Sequence, residues 1–87
     1  MQANTKTNQL SIKIFSPFEI FYEGPAASLS ANTATGPFDV LYGHANFIGL
    51  LQQGKVTIHT PFGRRSYDIN RGVVKVHNNY VVVFANI

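Results

Sequence analysis

Glycine, proline and asparagine interrupt this chain at short intervals, and the runs between them alternate apolar and polar residues. Leu10, Ile12 and Ile14 alternate with Ser11 and Lys13, and the same period of two recurs in later runs. Alternation of this kind puts successive side chains on opposite faces of a β-strand. A helical period of about 3.6 residues is not sustained over roughly ten residues anywhere. The pattern predicts an all-β fold, an antiparallel β-sandwich or flattened barrel of about ten short strands.

The turn-forming residues also set the expected boundaries. Strands are predicted over residues 10–15, 18–23, 27–31, 38–41, 55–60, 64–69, 73–77 and 80–85. Residues 45–51 are apolar, and their length leaves a strand and a single helical turn both open. The last run is apolar on both faces, which is typical of a central or covered strand. Residues 1–9 are polar and are expected to be a frayed terminus, so residues 10–87 form a single domain.

Composition narrows the classes of protein. A chain of 87 residues with 45% hydrophobic and 13% charged residues suits one folded domain with one core. Its net charge of +3 is too small to identify an acidic partner. The lack of cysteine excludes a disulfide framework, and no apolar run approaches the ~20 residues of a membrane helix. We therefore expect an intracellular protein that is soluble by itself.

Motifs for chemistry are missing from the sequence. It contains no cysteine nucleophile, no G-x-S-x-G motif, no phosphate-binding loop and no closely spaced pair of carboxylates. His44, His59 and His77 are far apart in sequence and lack the local spacing of metal ligands. The sequence predicts neither an enzyme nor a metal site, and no cofactor is expected.

One stretch combines turn formers, aromatic residues and a histidine: residues 36–47, GPFDVLYGHANF. Gly36 and Pro37 mark a turn, and Gly43 permits a sharp bend directly before His44. The stretch is expected to lie over a β core and to present His44 and the carboxylate of Asp39. Without further information, a hydrogen bond to a turn carbonyl is the ordinary role for such a histidine.

This stretch resembles the G-E-(F/L)-G-(V/I)-L-P-G-H-x-P-L segment of the epsilon subunits of F-type ATP synthases, in their amino-terminal β domain. The matching positions are Gly36, Phe38, Val40, Leu41, Gly43, His44 and Ala45. The departures are Pro37, Asp39, Tyr42, Asn46 and Phe47. Further family motifs match in order at Leu10, Ile12, Ile14, Ser16, Pro17, Ile20, Phe21, Glu23, Gly24, Gly54, Val56, Ile58, Gly72, Val73, Val76, Asn79, Val81, Val83, Phe84 and Ala85. Gln53 and Arg71 stand where these motifs have a proline and a glycine. The resemblance therefore runs from about Leu10 to the end of the chain.

The resemblance implies a ten-stranded β-sandwich without catalytic residues. Such a domain binds the gamma subunit of the central stalk, rests on the membrane c-ring and couples ion translocation to ATP synthesis. The expected location is peripheral, on the cytoplasmic face of the inner (plasma) membrane. The family usually adds a carboxy-terminal helical hairpin, and this sequence stops before it, so the inhibitory role and the ATP site of that hairpin are expected to be absent.

The resemblance also assigns surfaces. It places Ser16 and His44 near the gamma subunit, and we expect exposed aromatic residues at Phe15, Phe21 and Phe47 to join them. The c-ring contact is expected over Gly36, Pro37, Phe38, Asp39 and Tyr42. Pro37 stands where the family has an acidic residue, and we hypothesise that Asp39 supplies the charge instead.

An alternative function comes from the single basic–aromatic cluster of the sequence. Arg64 and Arg65 lie beside Phe62 and Tyr67, and small β-barrels bind single-stranded nucleic acid by stacking bases on aromatic rings beside cations. Tyr67 is expected to point inward, which leaves Phe62 alone for stacking. A nucleic-acid partner is therefore not expected, and the gamma subunit and c-ring are the predicted partners.

Overall fold

The computed structural model describes residues 8–86, which form nine β-strands and no helix. The strands are β1 (Leu10–Phe15), β2 (Ile20–Ala26), β3 (Ser28–Thr33), β4 (Gly36–Leu41), β5 (Phe47–Leu51), β6 (Gly54–Thr60), β7 (Gly63–Ile69), β8 (Arg71–His77) and β9 (Tyr80–Asn86). The all-β prediction is confirmed. Within this range no helix is long and apolar enough to span a membrane. The frayed terminus predicted for residues 1–9 lies mostly outside the described residues.

The strands pair in the order β2-β1-β9-β8-β5-β3-β6-β7, and β4 pairs with the free side of β3. The sheet curls at β5, which joins β3 through the single pair Leu51–Thr33. One half, β2-β1-β9-β8-β5, thereby faces the other, β4-β3-β6-β7, and both contribute to one buried cluster. Pairing is antiparallel, as predicted, except between β1 and β9, which run parallel. These two strands are distant in sequence, so no hairpin imposes an antiparallel arrangement on them.

The core consists of aliphatic side chains from the inner faces of both halves. Its members are Leu10, Ile12, Ile14, Ala26, Leu29, Ala31, Val40, Leu51, Val56, Ile58, Ile69, Val74, Val76, Val81, Val83 and Ala85. No polar or charged residue between positions 8 and 86 is buried with them. Alternation in residues 10–15 therefore identifies the inward face of β1 correctly.

Several boundary predictions differ from the structure, and Gly36 and Pro37, predicted to mark a turn, are the first two residues of β4. Phe18 lies in the turn before β2 rather than in the strand, and its side chain is 93% exposed. The cause is a register shift between Ile14 and Phe15, followed by a turn that Ser16 stabilises: its Oγ accepts hydrogen bonds from the amides of Phe18 (3.1 Å) and Glu19 (3.3 Å). Residues 32 and 33, predicted as loop, extend β3. Residues 47–51 form a strand, which settles the choice left open by their length.

At Gly72 the backbones of β8 and β9 leave no room for a side chain. A Cβ at this position would lie 2.6 Å from the carbonyl oxygen of Phe84 and 3.5 Å from the Cα of Ala85. The obstruction is backbone, which cannot rotate away as a side chain can. Glycine is therefore required here by space rather than by an unusual φ.

Candidate protein-docking surfaces

The outer face of the half-sheet β2-β1-β9-β8-β5 carries a row of apolar side chains across all five strands. We call this row the apolar rank; its members are Ile20, Phe15, Phe84, Val73 and Leu50. They occupy directly paired positions, namely Phe15–Ile20, Phe15–Phe84, Val73–Phe84 and Leu50–Val73. Neighbouring strands lie ~4.8 Å apart, so the rank spans about 19 Å.

The rank is accessible although its members touch one another. Leu50 is 72% exposed and Ile20 is 54% exposed at its two ends, and Val73 and Phe84 also rank among the exposed residues. The rings of Phe15 and Phe84 meet edge to face at 5.3 Å between centroids, and Lys13 Nζ lies 5.1 Å from the Phe15 centroid. Contiguous exposed apolar patches are typical of surfaces that bind other proteins, so the rank is a candidate docking surface.

Two grooves flank Phe84. The larger has a volume of about 780 Å³, and its lining combines apolar residues, among them Leu50, Val73 and Phe84, with polar residues such as Gln53 and Arg71. The smaller, of about 410 Å³, is lined by Ser16, Phe18, Glu19, Phe21 and Phe84 among others. An apolar centre with a polar rim is the usual anatomy of a protein interface. The outer surface therefore has a depression on each side of Phe84, into which side chains of a partner could fit.

The outer face of the other half-sheet is polar. Lys55 Nζ forms an ion pair with Asp68 Oδ1 at 3.0 Å, and the hydroxyls of Thr57 and Ser66 are hydrogen-bonded at 3.1 Å. Asp39 is exposed and pairs across the strands with Ser30. Leu41 is the exposed large aliphatic residue on this face. The two outer faces thus differ in one respect: a continuous apolar row crosses the first, whereas Leu41 is surrounded by polar and charged side chains on the second.

His44 belongs to an aromatic cluster at the side of the sandwich where β4 and β5 meet. Its ring centroid lies 5.6 Å from that of Phe38 and 6.4 Å from that of Phe47, and the two phenylalanine rings are 4.8 Å apart. The Nδ1 of His44 is 2.6 Å from the carbonyl oxygen of Ala45, to which it donates. Gly49 leaves room for the Phe47 ring, because a Cβ there would lie 2.6 Å from that ring.

The structure does not bring the predicted gamma-contact residues together. Phe15 and Ser16 lie at one end of the half-sheet, whereas His44 and Phe47 lie at the other, roughly 17 Å away by strand spacing and rise. Phe21 is half-buried against the core and packs on Tyr67, so the prediction that it is an exposed aromatic is wrong.

Two further details of the predicted sites change. Phe15, also predicted to be exposed, is half-buried. Phe38, expected in the c-ring group, points inward and contacts His44 and Phe47 of the gamma group. Gly36, Pro37, Asp39 and Tyr42 do lie along one strand and the loop after it, with Pro37, Asp39 and Tyr42 exposed.

Four members of the apolar rank were not among the predicted site residues: Ile20, Leu50, Val73 and Phe84. The sequence held one signal for them, since residues 80–85 are apolar on both faces. That pattern suggested a strand covered on both sides. β9 is indeed central in its half-sheet, but Phe84 on its outer face remains exposed.

The basic–aromatic cluster lies on the β6–β7 hairpin. Phe62 at the tip is 86% exposed. Tyr67 is half-buried and its hydroxyl donates to the Phe21 carbonyl at 3.3 Å, so it points away from solvent, as predicted. The guanidinium of Arg65 lies 5.7 Å from the Tyr22 ring. Among residues 8–86 no three histidine or carboxylate side chains are grouped to hold a metal ion.

The chain is similar to ATP synthase subunits in sequence. Residues 9–87 match the family model described as "ATP synthase, Delta/Epsilon chain, beta-sandwich domain". The ATP synthase epsilon chain of Helicobacter pylori (strain P12) is 38% identical over 77 residues, and that of Endomicrobium trichonymphae is 33% identical over 78. These alignments cover 88% and 90% of this chain but 63% and 56% of the two relatives. The chain thus spans about three fifths of their length.

Solved structures share its fold. A chain of the Euglena gracilis mitochondrial ATP synthase (OSCP/F1/c-ring) superposes with a TM-score of 0.83 at 22% identity, covering 90% of this chain and 51% of that one. A chain of the Tetrahymena thermophila mitochondrial ATP synthase (central stalk/c-ring) superposes with a TM-score of 0.76 at 14% identity, covering 90% and 63%. The family match over nearly the whole sequence and the shared β-sandwich lead to one conclusion: the chain belongs to the ATP synthase delta/epsilon family, through its β-sandwich domain.

Proposed function

We propose that this chain is a non-catalytic rotor subunit of an F-type ATP synthase, which docks the gamma subunit onto the membrane c-ring and so couples ion translocation to ATP synthesis. It would then be peripheral to the membrane, on the cytoplasmic face. The observation that carries the proposal is the pair of unlike outer faces, one crossed by the apolar rank and one carrying Asp39 among polar side chains, on a domain of this family. A coupling subunit needs two docking surfaces for two partners.

The apolar rank supports the gamma contact. A stable subunit interface has an apolar centre and a polar rim, and the rank with its flanking grooves supplies both. Phe15 belongs to the rank, and Ser16 lines the smaller groove beside it. The second part of the contact is the His44 cluster, where the exposed edge of Phe47 and the ring of His44 are available. A partner that spans both ends of the half-sheet would touch both groups.

The polar outer face supports the c-ring contact. Asp39 makes no ion pair with any residue of the described range, whereas Asp68 on the same face is paired with Lys55. A carboxylate without an internal partner is free to pair with a cationic loop of another subunit. Pro37, exposed two residues before Asp39, has no charge to offer.

Stiffness follows from the core. Sixteen buried apolar residues fill the space between the half-sheets, and close-packed interiors of this kind have low compressibility. A force applied to one outer face is therefore transmitted to the other with little deformation. Load transfer requires no catalytic residue.

The direct test is a pull-down of the purified gamma subunit by this chain at low and at high salt. Binding at both is expected, because an apolar interface depends little on ionic strength whereas exposed charges are screened. Failure to bind at either salt would refute the gamma contact. Binding of single-stranded nucleic acid that falls steeply with salt would support the alternative function instead.

Asp39 gives a second prediction. Asp39→Asn is expected to weaken docking on purified c-rings several-fold, because an exposed ion pair contributes up to about 1 kcal/mol. Co-sedimentation of the chain with c-rings in detergent or liposomes measures this. Asp68→Asn is the matched control, since it removes an equal charge from the same face but one already paired with Lys55. Equal docking by the Asp39 variant and the unaltered chain would rule out the assigned role.

A further inference from the structure

We propose that Asn79 and Asn46 are positioning residues that hold the loop carrying His44 in a single, docking-ready conformation. We call the two hydrogen bonds between this loop and the β8–β9 turn the asparagine latch. The importance of the latch for binding rests on the proposed gamma contact. Its effect on the loop itself does not, and the two are measured separately.

The latch is reciprocal. The backbone amide of Gly43 donates to Asn79 Oδ1 at 2.6 Å, and the backbone amide of Asn78 donates to Asn46 Oδ1 at 3.0 Å. Each segment therefore supplies one asparagine side chain and one backbone amide. The two bonds span 36 and 32 positions of sequence, so they join elements that no hairpin connects.

Residues 42–46 have little else to fix them. They lie between β4 and β5 and take part in no strand pairing. Within this loop the His44 amide donates to the Leu41 carbonyl at 3.0 Å, which closes a tight turn around Gly43 at a φ of 87°. The latch bonds on either side of His44, at Gly43 and Asn46, attach this turn to the half-sheet that carries the apolar rank.

Asparagine suits the two turn positions, 78 and 79, for two separate reasons. Asn78 and Asn79 have φ values of 49° and 66°, in the left-handed region that asparagine tolerates better than most residues. At position 79 the side chain has the additional task of accepting the Gly43 amide. Glycine would satisfy the backbone at position 79 equally well but would leave that amide without its acceptor.

The consequence for docking is pre-organisation. A loop that is already ordered does not lose conformational freedom when a partner binds, whereas an untethered loop does. The His44 ring rests on Phe38 and Phe47, so its position depends on the loop backbone that the latch fixes. Asn79 thus acts on the contact through Gly43 and His44 rather than by touching the partner.

Three variants separate these roles. Asn79→Gly keeps the left-handed backbone but removes the side-chain acceptor, whereas Asn79→Asp keeps both. Asn78→Asp is the control for charge, because it adds the same charge at the neighbouring position, whose side chain is not in the latch. For Asn79→Gly we expect faster hydrogen exchange of the Gly43 amide, altered His44 ring proton shifts and about tenfold weaker gamma binding. Asn79→Asp and Asn78→Asp should stay within about threefold of the unaltered chain, a range reached by exposed charges alone.

The outcomes are distinct. If Asn79→Asp binds the gamma subunit as weakly as Asn79→Gly does, and both bind more weakly than Asn78→Asp, then the hydrogen-bond acceptor at position 79 does not determine the affinity. That result would refute the latch. Unchanged Gly43 exchange in Asn79→Gly also refutes it. Faster exchange with unchanged gamma affinity overturns the positioning role. If the unaltered chain does not bind gamma, the proposed function fails, while the exchange and His44 shifts still decide whether the latch orders the loop.

Discussion

Replacing Ile20 and Leu50 together by glutamate is expected to abolish stable binding of the gamma subunit while leaving the fold intact. The two side chains stand at opposite ends of the apolar rank, 54% and 72% exposed, so the isolated domain tolerates charge there. In the complex each carboxylate would be enclosed by apolar surface without a partner. Burying an unpaired polar or charged group costs about 1–3 kcal/mol or more, so two of them reduce the affinity by about 30-fold or more.

Leu41→Glu is the matched control. Leu41 is 59% exposed and lies on the polar outer face, so the same change in chemistry is made on the opposite side of the sandwich. Calorimetric titration with purified gamma subunit measures the affinities, and thermal unfolding checks that all variants are folded. Tight binding by the double variant, or an equal loss in Leu41→Glu, would show that the gamma subunit does not use the apolar rank.

Gly72→Ala is expected to be the most damaging single-methyl change in the chain. The added Cβ would meet the Phe84 carbonyl oxygen at 2.6 Å, so β8 and β9 must move apart near the end of their pairing. Overpacking of a well-packed site costs about 1–3 kcal/mol of stability and occasionally more. Because the obstruction here is backbone, we expect a loss at the upper end of that range, about 3 kcal/mol. In a domain of this size that loss lowers the thermal midpoint by about 15 °C.

Val73→Ala serves for comparison, because it lies next to Gly72 and its side chain points outward. Its loss of stability should be below about 1 kcal/mol. Both variants are measured by chemical denaturation of the isolated domain. Similar midpoints for the two would mean that the strands can separate at Gly72 without penalty, contrary to the packing described above.

Local patterns predicted the strands well. Alternation in residues 10–15 correctly places Ile12 and Ile14 in the core, because a strand with one buried face must alternate. Alternation failed after residue 15, where the register shift and the Ser16 turn move Phe18 out of the strand. A bulge of this kind depends on how two strands meet, which neither strand records in its own sequence.

The apolar rank could not be predicted in the same way. Leu50, Phe84 and Ile20 become neighbours in one row through the pairings of β5 with β8, β8 with β9, β9 with β1 and β1 with β2. Apolar character at each position is visible in the sequence, but the register between strands is not. The His44 cluster shows the same limit, because the contact between Phe38 and Phe47 follows from the curl of the sheet.

The parallel pairing of β1 with β9 determines when β1 can complete its pairing during synthesis of the chain. β1 lies near the amino terminus and waits for its second neighbour until residues 80–86 have been made. Contacts between such distant segments form slowly because a long loop must close first. A nascent chain therefore exposes one unpaired edge of β1 until nearly the whole domain has been synthesised. The same event places Phe84 between Phe15 and Val73, so a newly made chain completes the apolar rank only after residues 80–86 have joined the sheet.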